Sequence, residues 1–460
     1  MKKINNIVLI TVDALRYDHS NIVKNKIDEV LGKGINFTKA YSTGPCSSMS
    51  YIGYLSSKFA TYPDEKYFIT KPKLKRKRTL LFEVLKKNGY KTYVIANNPF
   101  HNKFGYDQGI DVMITKANYS SKNKVISNLS KYKSLLFLNR ILKLFYSIIG
   151  LKAKAENKMP YFDSKKITEI VKNIVGKETD NNIFMQINYM DTHTPINLSN
   201  EYIRKNFTEN EIINNKLGYR EILEIRDVID NNNDEEMSDI NERLSNYEKL
   251  YYYETVYAAD NINYLLKYFK ELGRLKDTVF ILHSDHGEYI QPEGKLLGHG
   301  HPVRSKKETL NVFYENLVHV PLTIWGLGEG EIEKVVSLVD LPPTILEILG
   351  IKKPTEWYGD NIFSEYEKPV IIEDIRYGDI CYCVRTNDWA FAYNENTKQE
   401  YLFKTSPQDK KDVSSQNKEL VKEMHKLINI HKKKIEISWR EYLNKDINNI
   451  LQPTKKYDSK

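Results

Sequence analysis

Four short runs of the chain are apolar at nearly every position: Ile7-Val8-Leu9-Ile10-Thr11-Val12, Tyr93-Val94-Ile95-Ala96, Ile183-Phe184-Met185-Gln186-Ile187 and Thr278-Val279-Phe280-Ile281-Leu282. A strand with one face in the core alternates apolar and polar positions, whereas a strand covered on both faces does not. The four runs therefore predict strands buried on both faces. Between and after them the pattern changes to a helical one, over Thr79 to Asn88, Lys165 to Val175 and Tyr251 to Leu272. Strands alternating with helices are the mark of βαβ units. The predicted fold class is α/β, with a mostly parallel central sheet flanked by helices.

The pattern changes near residue 365. Short strand candidates at Val370-Ile371-Ile372, Cys381-Tyr382-Cys383-Val384 and Trp389-Ala390-Phe391-Ala392-Tyr393 precede a basic helical stretch from Asn417 to about Lys434. They predict a small C-terminal antiparallel sheet with a packed helix. The expected organisation is a catalytic α/β domain over 1–364, a C-terminal α+β subdomain over 365–445 and a flexible tail over 446–460. Two insertions interrupt the first domain. Residues 116–160 contain an amphipathic stretch, Leu135 to Leu151, with Arg140 and Lys143 among its apolar positions. It is too short and too charged for a membrane span. A lid over the sheet rim is the preferred reading, and a helix lying on a membrane surface is the alternative. Residues 205–245, with Asn231-Asn232-Asn233-Asp234-Glu235-Glu236, read as an exposed insertion.

Candidate chemistry collects where the buried runs stop. The first strand ends at Asp13, the third near Asp191 and His193, and the fourth runs into His283-Ser284-Asp285-His286-Gly287-Glu288. In open α/β sheets ligands bind beyond the carboxyl ends of the strands, so these groups should meet at one rim. Asp13, Asp285 and His286 offer oxygen donors and one imidazole, a set suited to one divalent ion, Mg, Mn, Zn or Ca. The structural alternative for the same residues is a capped or salt-bridged rim.

Composition alters this picture little. The 460 residues carry a net charge of +9, spread over a Lys-, Asn- and Tyr-rich sequence, and no nucleic-acid partner is expected. The basic run Lys71-Pro72-Lys73-Leu74-Lys75-Arg76-Lys77-Arg78 reads as a solvated loop before a helix. Three cysteines, Cys46, Cys381 and Cys383, make no disulfide framework. With a strand beginning almost at Met1, that count predicts a cytoplasmic protein.

Taken in order, several segments resemble the sulfatase family of the alkaline phosphatase superfamily. Asn6-Ile7-Val8-Leu9-Ile10-Thr11-Val12-Asp13-Ala14-Leu15-Arg16 is similar to the family's opening strand and metal-binding Asp. Asp191-Thr192-His193-Thr194-Pro195 resembles its His-x-Pro turn, and Ser284-Asp285-His286-Gly287-Glu288 its second metal-binding segment. Gly298-His299-Gly300, Tyr314 to Leu322 and Val339 to Gly350 continue the series. The resemblance implies an alkaline phosphatase-like fold, substrate contacts from His193, His299 and one basic residue among Arg304, Lys306 and Lys307, of which Lys306 is carried forward, and a nucleophile after Phe37-Thr38-Lys39-Ala40-Tyr41. Family members place formylglycine, Thr or Ser there. In Gly44-Pro45-Cys46-Ser47-Ser48-Met49-Ser50 the alignment starts at Ser47, which also matches Leu55-Ser56-Ser57 to the family's Leu-Thr-Gly. Cys46, converted to formylglycine, is the competing start, although neither fits the modification consensus.

The expected function is metal-dependent hydrolysis of sulfate or phosphate esters, on a small-molecule or glycan substrate, through a covalent intermediate on Ser47. An alcohol acceptor in place of water would make the protein a phosphotransferase of the phosphoethanolamine or phosphoglycerol type. A non-catalytic anion-binding relative is the third reading. No transmembrane span is expected, and the oligomeric state is left open.

Overall fold

The computed structural model describes residues 4–63, 79–96, 105–116, 161–178, 182–194, 196, 200–214, 225, 234–290, 297–298, 310, 313–376, 379–405 and 411–451. The first domain is built on an eight-stranded sheet. Its strands are β1 (Asn6–Val12), β2 (Ile35–Tyr41), β3 (Lys91–Ile95), β4 (Val112–Ile114), β5 (Ile183–Tyr189), β6 (Thr278–His283), β7 (Leu322–Trp325) and β8 (Gly330–Ser337). Their spatial order is β8-β2-β7-β6-β1-β5-β3-β4. Every neighbouring pair is parallel except those made by β7, which runs antiparallel to both β2 and β6.

The continuous apolar runs are explained by helices on both faces. Along β1, Ile7 and Leu9 enter one core cluster while Val8, Ile10 and Val12 enter the other. Strand β6 divides likewise, Val279 and Ile281 against Phe280 and Leu282. Side chains alternate across a strand, so a strand with a core on each side has no polar position to spare. Each such side chain contributes about 1.5–3 kcal/mol by leaving water. The first core is closed by α2 (Ser47–Ser56), α3 (Leu81–Lys87) and α6 (Leu341–Ile348). The second is closed by α1 (Ser20–Leu31), α4 (Ser164–Val175) and α5 (Asp234–Glu271).

The helices predicted from periodicity fall on α3, α4 and the second half of α5. Helix α5 begins seventeen residues earlier than the apolar pattern from Tyr251 suggests, at Asp234, and Ile240 and Leu244 within its first turns are buried. They join Ile196, Ile203 and Ile225 in a satellite cluster that lies beside the main cores.

The C-terminal part is the antiparallel sheet expected, β9 (Val370–Asp374), β10 (Cys381–Arg385), β11 (Trp389–Asn394) and β12 (Glu400–Lys404), in sequential order. Helix α7 (Lys418–Leu451) lies against it through Val421, Met424, Ile428 and Ile435. Cys381 and Cys383 share one buried face of β10 and are free thiols, as is the buried Cys46. The basic run 71–78 and the amphipathic stretch 135–151 lie outside the described residues. Among the described residues no helix is long and apolar enough to cross a membrane.

Candidate metal centre and nucleophile

Strand register brings the first two site residues together. β1 and β6 are parallel neighbours with Thr11 opposite His283, and Thr11 Oγ1 lies 2.9 Å from His283 Nε2. Two residues further along the chain from each, just past the strand ends, stand Asp13 and Asp285. Their carboxylates therefore leave the sheet side by side, and both are fully buried. The turn that follows β1 is tight: Ala14 adopts φ +60°, a left-handed conformation that an alanine takes only when its surroundings hold it there. The Ala14 N–H donates to Asp285 Oδ1 (3.3 Å), Leu15 N–H donates to Ser284 Oγ (2.9 Å), and Tyr251 from α5 donates to the Ala14 carbonyl (2.8 Å) while accepting from Arg16 N–H (2.8 Å).

His286 completes the group. The ligating atoms of Asp13, Asp285 and His286 all lie within 4.8 Å of one another. The His286 Nδ1 is 2.7 Å from the Gly287 carbonyl, a contact that only Nδ1–H can make, so the Nε2 lone pair faces inward. It stands 3.8 Å from Asp13 Oδ1 and 3.6 Å from Asp285 Oδ2. Gly287 is obligatory here, because a Cβ would fall 1.9 Å from the Asn316 carbonyl oxygen.

Ser47 is the first residue of α2, and its Oγ lies 3.0 Å from His286 Nε2. Cys46, one residue earlier, caps the helix in extended conformation, and its Sγ lies 3.2 Å from Ser48 Oγ. The two nucleophile candidates therefore face different ways, and it is Ser47 that reaches the cradle. At the other end of α2, Ser57 is left-handed at φ +51°, at the position matched to the family's glycine when the alignment starts at Ser47. His193 stands at the rim with its side chain 23% exposed, Nε2 4.0 Å from Asp13 Oδ1 and Nδ1 2.5 Å from the Thr194 carbonyl. His299 and Lys306 lie outside the described residues.

A divalent ion fits these side chains. Asp285 Oδ1 accepts from Ala14 N–H and His286 N–H, while its buried Oδ2 accepts no hydrogen bond among the described residues. A buried carboxylate oxygen left without a donor, beside a second carboxylate and an inward imidazole lone pair, is the environment that a cation relieves. Burial also lowers the pKa of His283 to about 4 and raises that of Glu288 to about 7. Tyr51 and Tyr54 under the site stay protonated well above the usual range, because of burial first, then Asp13 and Asp285 for Tyr51, and neighbouring Tyr51 followed by Asp285 for Tyr54.

Several site residues carried no assignment from the sequence. Asn188 Nδ2 reaches Asp13 Oδ2 at 3.4 Å, and Thr192 Oγ1 donates to the Asp13 carbonyl at 2.5 Å. Both lie at the β5 strand end, where a polar residue in an apolar run is a readable signal. Tyr251 is more than two hundred residues from Asp13 in the chain and gave none. Asp191, read at the same rim, turns away from it: its carboxylate accepts from Ser164 N–H (3.0 Å) and from the Ser164 hydroxyl.

An α/β sheet with a carboxylate–imidazole group and a helix-start hydroxyl at its rim defines an alkaline phosphatase-like class of fold. Within that class the chain belongs to the sulfatase family, whose model matches residues 5–351. Bovine arylsulfatase K is 23% identical over 244 residues, covering 45% of this chain and 43% of that protein. The chain thus spans less than half the length of the curated relatives it matches. Among solved structures, a protein in complex with its substrate D-glucosamine-2-N,6-O-disulfate superposes with a TM-score of 0.60 at 15% identity, covering 94% of this chain and 98% of that one. The phosphonate monoester hydrolase of Agrobacterium radiobacter does so at 0.60 and 14%, covering 94% and 96%.

The expected cytoplasmic location does not stand. The Drosophila melanogaster relative, 28% identical over 132 residues (28% of this chain, 11% of that protein), is an extracellular sulfatase homologue, which points away from the cytoplasm. The cysteine argument fails for a physical reason. Cys46, Cys381 and Cys383 are all free thiols buried within the packed cores, where small apolar side chains are wanted, so their lack of pairing carries no information about compartment.

Proposed function

We propose that the chain is a metal-dependent hydrolase of sulfate esters, with phosphate esters as the competing substrate class, acting through Ser47 as nucleophile. The observation that carries this reading is the 3.0 Å approach of Ser47 Oγ to an inward-facing His286 Nε2 between two buried carboxylates. Asp13, Asp285 and His286, with the Ser47 oxygen, would hold the ion. When bound, it lowers the pKa of a neighbouring hydroxyl and polarises an ester oxygen.

The protein's own groups do the rest. Ser47 opens α2, where the first N–H groups of a helix lack intrahelical acceptors and favour negative charge, so an anionic tetrahedral group is held against its Oγ. Ser47 Oγ loses its proton to solvent as it forms a bond to the central sulfur or phosphorus, the bond to the leaving oxygen breaks, and water then adds to the same centre, releasing sulfate or phosphate and returning a proton to Ser47 Oγ. His193 has Nδ1 engaged by the Thr194 carbonyl, so Nε2 is the nitrogen that faces the rim, where it can hold the proton that the leaving oxygen needs. Two features favour hydrolysis of a small or glycan ester at this rim. The family's model covers the site segments, and a structural neighbour binds a sulfated glucosamine.

Purified protein assayed on an aryl sulfate, a phosphate monoester and a phosphate diester with Mg²⁺, Mn²⁺, Zn²⁺ or Ca²⁺ tests the reading. Metal-dependent turnover lost in Ser47→Ala and kept in Cys46→Ala is the expected result. Formylglycine found by peptide mass at Cys46 would overturn the role of Ser47, and no turnover with any pair would favour the anion-binding reading.

A further inference from the structure

Helix α2 carries Ser47 at its start, and both of its ends are gripped by one hydrogen-bonded chain that runs from Tyr358 into the C-terminal sheet and helix. At its C-terminal end the cap residue Ser57 presents its carbonyl to Tyr358 N–H (2.9 Å). The Tyr358 hydroxyl, in turn, lies 2.8 Å from His431 Nδ1 on α7. On the far side of the same ring, His431 Nε2 lies 2.7 Å from Glu373 Oε1. A single neutral tautomer satisfies both contacts, with Tyr358 O–H donating to Nδ1 and Nε2–H donating to the carboxylate. Glu373 then closes the circuit. Its backbone N–H donates to Thr43 O (3.0 Å) in the turn that leads into α2. Its carboxylate accepts from Thr61 N–H (2.8 Å) and Thr61 Oγ1 (2.6 Å), just beyond α2.

The turn before Ser47 has no slack against this wall. A Cβ on Gly44 would lie 3.0 Å from the Glu373 carbonyl oxygen and 2.4 Å from Met49 Cβ. Ser42 Oγ and Thr43 Oγ1 tie the same turn to the Gly44 and Met49 carbonyls at 2.8 and 3.1 Å. Glu373 is fully buried and His431 is 2% exposed, with Phe59 edge-on to the imidazole at 4.7 Å. A carboxylate and an imidazole so enclosed are costly to desolvate, and a core that needed only volume would be better filled by apolar side chains. What the pair supplies instead is direction: fixed donors and acceptors that set where α2 begins.

We propose that Tyr358, His431 and Glu373 are positioning residues that fix the Ser47 hydroxyl in the metal cradle. This rests on Ser47 being the nucleophile. It assigns the C-terminal sheet and helix a part in the reaction without touching the substrate. A shift of Ser47 by a fraction of an ångström alters its attack geometry, while the cradle residues, anchored just beyond β1 and β6, stay in place.

The test pairs backbone hydrogen exchange with kinetics on His431→Phe, Tyr358→Phe and His431→Gln, the last keeping an amide donor for Glu373. His431→Phe is expected to speed exchange in the peptides covering residues 42–62 while exchange in β1 and β6 is unchanged. Its kcat on the ester found to be turned over should fall on the order of 10- to 100-fold with KM within about 2-fold, and His431→Gln should recover part of the loss. Should His431→Phe fail to fold, Tyr358→Phe, which removes only the hydroxyl, is expected to show the same pattern at smaller amplitude. Unchanged exchange over residues 42–62, or faster exchange spread evenly over the whole fold, would overturn the inference. Exchange needs no substrate, so a wild-type protein that turns over no ester would refute the hydrolase reading separately.

Discussion

Replacing Asp285 with Asn should make the metal-free protein more stable and blind to metal. The carboxylates of Asp13 and Asp285 are both fully buried, with ligating atoms within 4.8 Å. At an effective dielectric constant of about 20, two like charges at that distance repel by about 3 kcal/mol. Asn keeps the contacts that position the side chain, because its amide oxygen still accepts from Ala14 N–H and His286 N–H where Asp285 Oδ1 does now. Its NH₂ falls where Oδ2 lies and turns a repulsion into an attraction. For a chain of 460 residues the unfolding entropy is roughly 1 kcal/mol per degree, so the metal-free variant should melt about 3 °C above the metal-free wild type. Adding a divalent ion at about one hundred times its Kd should raise the wild type by a similar amount and leave Asp285→Asn unmoved. Differential scanning fluorimetry in chelator and in each metal gives both numbers. A metal-free variant that melts below the wild type, or one that keeps the metal-induced rise, would refute the cradle as described.

Three further outcomes follow from the site. Ser47→Ala should lower kcat by about 10³-fold or more whereas Cys46→Ala leaves it within a few-fold, read in the same ester assay. Gly287→Ala should destabilise the fold by about 3 kcal/mol or more in urea unfolding, because its Cβ would meet the Asn316 carbonyl at 1.9 Å and the backbone on both sides is fixed. Asp191 has its pKa raised from 3.8 to about 7 by burial, so the folded state holds a proton that the unfolded chain releases. Its contribution to stability is therefore present at low pH and declines as pH rises from about 4 to about 7, by several kcal/mol. The stability difference between Asp191→Asn and wild type should grow in the variant's favour across that window and level off above it, and a difference independent of pH would show that Asp191 does not titrate there.

Much of the fold was legible because its signals are local. A strand covered on both faces must be apolar throughout, so β1, β5 and β6 stood out, and the first polar residues after β1 and β6 had to be at the sheet rim. Asp13, Asp285 and His286 were readable for that reason. Helix α5 was read too short because its first turns bury only Ile240 and Leu244 in a satellite cluster, too few positions to show a period beside the acidic and Asn-rich residues around them.

The sequence by itself determined the α/β class, the C-terminal antiparallel sheet, the family, and which three residues, Asp13, Asp285 and His286, to seek together at the rim, since each follows from apolar period or motif order. Tertiary structure decided the rest. Register between β1 and β6 put Asp13 beside Asp285, and the start of α2 turned Ser47 rather than its neighbour Cys46 toward His286. Nothing local distinguishes those two adjacent residues, because which one enters the site depends on where the helix begins. That point is held by Glu373, Tyr358 and His431, which meet around α2 only after more than three hundred residues of chain have folded back onto it.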